Sequence, residues 1–112
     1  MKLSAITTII AKEKLRDYLL NLNNPDGESK ARFLAEMGYE QKDWQILEGD
    51  LREQHLSMEV SLGKESLYGR KYEIIAPLVG PNENRRWIKS IWMIRHSETN
   101  ARFVTLIPEK QP

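Results

Sequence analysis

Cysteine is absent from the 112 residues of this chain. Its absence excludes disulfide bonds, zinc sites built from thiolates and cysteine nucleophiles, and it fits a reducing cytosol. No apolar run approaches the roughly 18 residues that a membrane-spanning helix needs, so no membrane partner is predicted. The opening MKLSAITTIIAKEK has an apolar stretch that is too short, and too soon followed by charged residues, for a secretion signal. We therefore expect a cytoplasmic protein.

A strong charge of one sign is also absent. The chain holds 17 Lys and Arg against 16 Asp and Glu, a net charge of +1. It therefore lacks the global basic field that marks many nucleic-acid-binding proteins. Residues 1–56 carry a net charge of −2 and residues 57–112 a net charge of +3. The small positive excess falls in the half that is predicted to form strands.

Metal-binding patterns are missing as well. The two histidines are 41 positions apart, and no HExxH motif occurs. The letters PD at 25–26 and EQK at 40–42 match the PD-(D/E)xK nuclease pattern. That chemistry needs both carboxylates on neighbouring strands, whereas a helix is predicted between these two. No metal and no other cofactor is predicted.

The residues that are present predict one folded domain over 1–112, because 40% are hydrophobic and 29% are charged. Helical periodicity runs through EKLRDYLLN, through Ser29 to Met37, and through WQILEGDLREQHL after Asp43. Ser29 or Asp26 is the expected N-cap of the second helix, and Gly38 its C′ residue. The early AITTII predicts a short strand or an extended arm.

Strand periodicity replaces helical periodicity in the second half. Four strands are predicted, with turns at YG, GPNEN and SETNA: MEVSLGKESL, RKYEIIAPLV, RRWIKSIWMIRH and RFVTLIP. Helices first and strands last predict an α+β fold. About three N-terminal helices would pack on one face of a C-terminal antiparallel sheet of about four strands.

Lys30 is a candidate anion ligand, because the first turn of a helix exposes unpaired N–H groups and a partial positive charge. A bound phosphate would offset the unfavourable position of the lysine. A solvated lysine beside Glu28 is the other interpretation. His55 is likewise open to two interpretations, since a histidine on an apolar helix stripe is either an edge-of-core residue or a general acid or base.

One face of the predicted sheet carries the remaining candidates. Strand alternation places Trp87, Lys89 and Arg95 on one face of the third strand, and Lys71 on a face of the second. Thr105 is expected to project with Phe103 and Ile107. If the three cations converge, they form a basic surface with Trp87 as an aromatic platform, which suits single-stranded RNA. The alternative is an ordinary solvated sheet face.

Several stretches together resemble a bacterial family of unknown function whose members are single domains, common in cyanobacteria. They are LRDYLLN, NPDGESKARF, MGYEQKDWQIL, YGRKYEIIAPLVGPN, IKSIWMI and RFVTLIP, which cover nearly the whole chain. Positions that match Lys30, Lys71, Trp92 and Val104-Thr105 recur in that family. Its members usually end in VTAYP, whereas this chain has VTLIP and lacks the tyrosine.

The resemblance implies a fold similar to that of small toxin ribonucleases, namely barnase, EndoU, the colicin nucleases and RelE. It also implies a gene neighbour that encodes a very small, barrel-like protein, as in toxin–antitoxin pairs. The first hypothesis is therefore a metal-independent endoribonuclease that cleaves RNA by attack of its 2′-hydroxyl.

In that hypothesis His55 is the general base or acid, and Lys71 and Lys30 stabilise the phosphate. Arg95 and Lys89 support them, Trp87 binds RNA, and Thr105 donates a hydrogen bond to a phosphate oxygen. The alternative is a non-enzymatic interaction module that binds a small partner protein through a sheet face or edge. Catalysis requires Lys30, His55, Lys71 and Thr105 in one cleft, whereas a His55 packed away from the basic face favours the module.

Overall fold

The computed structural model describes residues 1–112 and has an α+β architecture, with a few short helices before a four-stranded antiparallel sheet. Helix α1 (Lys14–Leu19) is a π-helical segment, α2 (Glu28–Glu36) is α-helical, and α3 (Trp44–Asp50) continues as a π-helical turn over Leu51–His55. The strands follow in spatial order β1-β2-β3-β4: β1 (Ser61–Glu65), β2 (Gly69–Val79), β3 (Arg85–Arg95) and β4 (Arg102–Pro108). The predicted α+β fold with a four-stranded antiparallel sheet is confirmed.

The pairing of β2 with β3 separates the sheet into two faces. Their register runs unbroken from Gly69 opposite Arg95 to Val79 opposite Arg85. Alternate side chains are buried on what we call the core face: Ile74, Ala76, Leu78, Ile88, Ser90 and Trp92. The residues between them form the second face, which we call the open face. This alternation is the expected consequence of burying one side of a pleated sheet.

Leucines of the helices complete the core above the core face. Leu15 and Leu19 of α1, Leu34 of α2, Leu47 of α3 and Leu51 just after it are all fully buried. Short helices such as these are marginal alone, so their stability comes from packing this apolar stripe against the sheet.

The N-terminal segment forms neither a strand nor a fully extended arm, because residues 5–7 make a turn before Ile9 reaches the sheet. Ile9 makes an isolated parallel bridge with Arg102 of β4. The Arg52 guanidinium fixes the arm from the other side, because its Nη1 atom donates to the carbonyls of Ala5 and Thr8 at 2.9 Å each. The arm therefore covers part of the outer edge of β4. No helix in the structure has the length and apolar character needed to cross a bilayer.

A β-bulge in β4 separates Phe103 from Thr105, which were predicted to share a face. Ile91 pairs with Thr105, but the next residue, Trp92, pairs with Phe103, so Val104 is the extra residue of the bulge. One extra residue reverses the alternation. Phe103 therefore packs edge-on against Trp92 in the core, with ring centroids 5.1 Å apart, while Thr105 shares the open face with Ile91.

The start of α2 also differs from the prediction. Gly27, rather than Ser29 or Asp26, occupies the N-cap position, and no side chain caps the helix. Gly27 lies so close to α1 that a Cβ atom there would be 2.5 Å from the carbonyl oxygen of Tyr18. The Asp26 carbonyl accepts a hydrogen bond from the Tyr18 hydroxyl at 3.2 Å. Close packing against Tyr18 therefore fixes this turn, and only glycine fits it.

The end of α2 follows the prediction. Gly38 has a φ of 93°, its N–H bonds to the Ala35 carbonyl, and the Tyr39 N–H bonds to the Leu34 carbonyl. This is a Schellman motif. The turn between β2 and β3 then covers the helix end, since the side-chain amides of Asn82 and Asn84 donate to the Glu36 carbonyl at 2.8 and 2.7 Å.

We expect Gly38→Ala to lower the free energy of unfolding by about 1–2 kcal/mol, because an alanine is strained at a left-handed φ. The added Cβ would also lie 2.9 Å from the Asn82 backbone nitrogen. Gly49→Ala is the matched control: a Cβ there meets nothing within 4 Å, and alanine favours a helix by up to about 1 kcal/mol. Urea denaturation of both variants checks the opposite signs, and equal effects would contradict this account of Gly38.

Candidate functional site

The open face arranges most of the predicted site residues in rows across three strands. One row joins Lys71, Met93 and Arg102, and the next joins Glu73, Ile91 and Thr105. The following rows contain Ile75, Lys89 and Ile107, then Pro77 and Trp87. Side chains in directly opposed positions lie side by side on one face. Lys71 and Thr105 are therefore in adjacent rows on the two sides of β3.

Lys30 reaches this face from the first turn of α2. Its Nζ atom donates to the Thr105 hydroxyl at 3.0 Å across 75 residues of sequence, and it lies 5.5 Å from the centre of the Tyr18 ring. The half-buried ammonium has no carboxylate partner. A cation held by a hydroxyl and a ring keeps its charge available to an anion. Lys30 and Thr105, two of the four residues that the ribonuclease hypothesis requires in one cleft, are thus in contact, and Tyr18 adds a contact that no sequence pattern indicated.

Lys89 lies at the middle of the open face but is already neutralised. Its Nζ atom lies 3.3 Å from a carboxylate oxygen of Glu109 and 3.7 Å from one of Glu73. The hydrogen bond to Glu109, followed by the charge of Glu73, raises the pKa of Lys89. Strand alternation could identify Glu73 as a neighbour, whereas Glu109 lies beyond the last strand and has no periodic signal. Two carboxylates on one ammonium leave little attraction for phosphate.

Arg95 lies at the end of β3, where it and Arg102 contact the same carboxylate, that of Glu98. Its Nη1 atom lies 3.5 Å from Glu98, while Arg102 makes the closer contact with the same carboxylate at 2.8 Å. The hydrogen bond from Arg102 is the main reason that the pKa of Glu98 is lowered. Arg95 is therefore an exposed cation with a weakly held partner, one row beyond Lys71.

Trp87 lies at the opposite end of the face from Lys71. It pairs with Pro77, three rows away from the row of Lys71. The Arg85 guanidinium lies 5.9 Å from its ring centre. The ring is half-buried, and its Nε1 atom is buried without a hydrogen-bond partner. Trp87 is thus covered in part by an arginine, and the candidate cation in the adjacent row is Lys89, which already contacts two carboxylates.

His55 lies behind the sheet, on the side opposite to Lys71 and Thr105. Its side chain is fully buried, and its Nδ1 atom is 2.7 Å from the hydroxyl of Ser90, a core-face residue of β3. The same hydroxyl accepts a hydrogen bond from the Trp92 indole at 2.8 Å. The Ser90 hydroxyl can therefore donate its own proton in a hydrogen bond to Nδ1 of a neutral imidazole. Sequence alone could place His55 on an apolar stripe, but it could not pair it with Ser90.

Burial sets the ionisation of His55. Removal from water lowers its pKa from 6.5 to about 4. Its Nε2 atom is buried without a hydrogen-bond partner, and the nearby Ala76 carbonyl offsets only part of the shift. The group is consequently a neutral structural polar residue near pH 7.

The structure thus divides the predicted site residues. Lys30 and Thr105 are in contact, and Lys71 shares their face. Arg95 and Lys89 share that face but are held by carboxylates, and Trp87 lies at its far end. His55 packs away from all of them. Lys30, Thr105 and Lys71 therefore share one surface, and His55 does not belong to it.

We expect His55 to make the protein sensitive to acid. Between pH 6.5 and 4 the unfolded chain binds a proton at His55 and the folded chain does not. Stability is therefore unaffected above pH 6.5 and falls below it, by on the order of 3 kcal/mol at pH 4. Urea denaturation at a series of pH values measures this slope.

The controls for this prediction are two glutamine variants. His55→Gln should be less stable at pH 7 and should lose the part of the slope that the imidazole contributes. His96→Gln changes an exposed histidine and should leave the slope unchanged. The same slope in the wild type and in His55→Gln would contradict the assignment.

Comparisons with known proteins give a family but no characterised relative. Searches of curated proteins and of solved structures each found no match. A family described as a domain of unknown function, DUF6883, matches residues 2–110. That range includes every strand, every helix and all the candidate residues described above. The chain belongs to the DUF6883 family of domains of unknown function.

Proposed function

We propose that this protein is a non-enzymatic interaction module that binds a small partner protein on the open face of its sheet. The observation that carries the proposal is the apolar centre of a sheet face over which no helix packs. Exposed apolar surface of this kind on a small soluble domain commonly marks an interaction site.

The composition of the open face supports this proposal. Ile75 and Val79 are 39% and 40% exposed, and they adjoin half-buried apolar side chains: Pro77, Trp87, Ile91, Met93 and Ile107. Lys89 is the one charge in the middle of this group, and Glu73 and Glu109 neutralise it. Protein interfaces have the same arrangement, with few free charges at the centre and polar groups around it.

The position of His55 supports the module over the enzyme. Attack by an RNA 2′-hydroxyl needs a base that removes its proton and an acid that protonates the leaving oxygen. The histidine that was predicted for this role is buried behind the sheet, next to Ser90 and Trp92. A binding module requires no such group.

We expect Ile75→Glu to weaken partner binding at least tenfold, or about 1.4 kcal/mol, because it places a carboxylate at the apolar centre. The probe is the small protein encoded beside this gene, which the family resemblance implies, and titration calorimetry measures its affinity. Ile75 is 39% exposed, so a glutamate at this position can remain in contact with water and the variant should fold.

Ile46→Glu is the matched control for this experiment. Ile46 is 44% exposed, close to the 39% of Ile75, but it lies on helix α3 on the other side of the molecule. Its replacement should leave the affinity unchanged. Equal losses in the two variants, or the absence of a complex with the wild type, would count against the module.

The contact between Lys30 and Thr105 favours a second candidate function, a ribonuclease that does not use His55. The Lys30 ammonium and the Thr105 hydroxyl, with Lys71 in the adjacent row, are suited to the charge of a phosphodiester. Glu73 lies in the row of Thr105 and would remove the 2′-hydroxyl proton. The resulting oxygen would attack phosphorus, and the 5′-oxygen would leave with a proton from Lys71.

The ribonuclease hypothesis predicts growth arrest and RNA cleavage on induced expression. Lys71→Ala should lower cleavage about 100-fold, the usual effect of removing one group that stabilises the transition state. Lys64→Ala changes an exposed lysine of β1 and should retain the activity. A harmless wild type that leaves RNA intact would exclude the ribonuclease without affecting the module.

A further inference from the structure

We propose that the partner binds one end of the open face with an acidic chain segment that places an apolar side chain against Met93. This inference rests on the proposed module and specifies the chemistry of its partner. The feature that carries it is the juxtaposition of an apolar groove with four cations whose salt bridges involve a single carboxylate, that of Glu98.

The groove consists of two adjoining hollows that share Met93 and Arg95. The first, of about 490 Å³, lies beside Leu67 and Tyr68 at the tip of the β1–β2 hairpin. The second, of about 380 Å³, lies between β4 and the N-terminal arm. Met93 and Arg95 border both hollows, so the hollows lie side by side between the hairpin tip and the arm. We call this pair of hollows the Met93 groove.

The surface of the Met93 groove is mainly aliphatic. Leu67 is 93% exposed and Tyr68 is 76% exposed at one end, and Ile9 is 36% exposed at the other. Met93 lies between them, and its flexible thioether can adapt to different side chains. Single-stranded nucleic acids prefer aromatic surfaces on which bases stack. Tyr68 and His96 are the ring side chains exposed in this groove, and both lie at the hairpin end. The other end has Ile9, Ala11 and Val104, so a leucine or phenylalanine fits the groove better than a row of bases.

Positive charge surrounds the same groove. Lys71 and Arg102 lie opposite Met93 on its two neighbouring strands, Arg95 follows on β3, and Lys14 borders the second hollow. Glu98 is the one carboxylate in salt bridges with any of these four cations, and it binds Arg95 and Arg102. Lys14 and Lys71 form no salt bridge. This excess of cations is complementary to a partner segment that carries several carboxylates.

The four methionines of the chain allow a direct test by NMR with methyl-labelled methionine. The probe is a peptide of about twelve residues with a central Leu-Phe pair flanked by Asp and Glu. We expect it to shift the methyl signal of Met93. The signals of Met58, which is exposed outside the groove, and of buried Met37 should stay in place.

Two comparison probes decide between ligand classes. A peptide with Lys at every acidic position should leave the Met93 signal unchanged, and so should a uridine oligonucleotide of about twelve nucleotides. A Met93 signal that does not respond to the acidic peptide overturns the inference. An equal response to the basic peptide, or a stronger response to the oligonucleotide, also overturns it.

Charge reversal tests the role of the cations. Lys14→Glu should weaken binding of the acidic peptide at least about threefold at low salt, and this difference should shrink near 0.5 M salt. The variant should fold, since a glutamate is favourable in the first turn of α1. Lys42→Glu is the control, because Lys42 is exposed and lies outside the groove. Equal effects of the two reversals would contradict the proposal.

The peptide experiment does not depend on the partner encoded by the neighbouring gene. If Ile75→Glu weakens the complex while the acidic peptide leaves Met93 unchanged, this inference fails and the module stands. If no complex forms, the module fails even where the peptide binds.

Discussion

The antiparallel pairing of β2 with β3 determines where every candidate residue of this protein lies. Eleven consecutive pairs hold the two strands in one register, from Gly69 opposite Arg95 to Val79 opposite Arg85. A slip of β3 by one residue would bring Lys89 into the core and expose Trp92, whereas the same slip of β2 would bury Lys71. The leucines of the helices bury the core face and so make that slip unfavourable. The open face is therefore a consequence of how the core is packed.

Ser90 is a fully buried polar residue on the core face. A serine at the centre of a buried strand is unfavourable unless its hydroxyl is bonded. Here it links the Trp92 indole to the His55 imidazole, so one small side chain satisfies two buried nitrogen atoms. The arrangement favours one orientation of the helical half on the sheet, because a shifted helix would leave these polar groups unpaired. It also explains why a histidine on this side contributes to the fold rather than to a surface site.

The sequence was sufficient for the strand positions and for the distribution of β2 and β3 residues between the two faces, because alternation over eleven residues is a strong signal. It could also locate the end of α2, because Gly38 occupies a position with a left-handed φ, which favours glycine. It could not locate the bulge at Val104, which depends on packing between Phe103 and Trp92 and which places Phe103 in the core while Thr105 remains on the open face.

Long-range contacts limited the prediction of the site in the same way. The approach of Lys30 to Thr105 joins residues 75 positions apart, and the pairing of His55 with Ser90 joins residues 35 apart. Neither contact has a local pattern. The sequence therefore indicated candidate chemical groups, but only the fold could show which of them share a surface.

The turn between β2 and β3 has a consequence for how the chain folds. The Glu36 carbonyl accepts hydrogen bonds from Asn82 and Asn84, which lie 46 and 48 residues further along. A nine-residue helix is unstable in isolation, so α2 cannot persist before this hairpin closes over its end. The hairpin in turn needs the helical leucines to bury its core face. The two halves should therefore form together in one cooperative step, with a rate limited by loop closure between them.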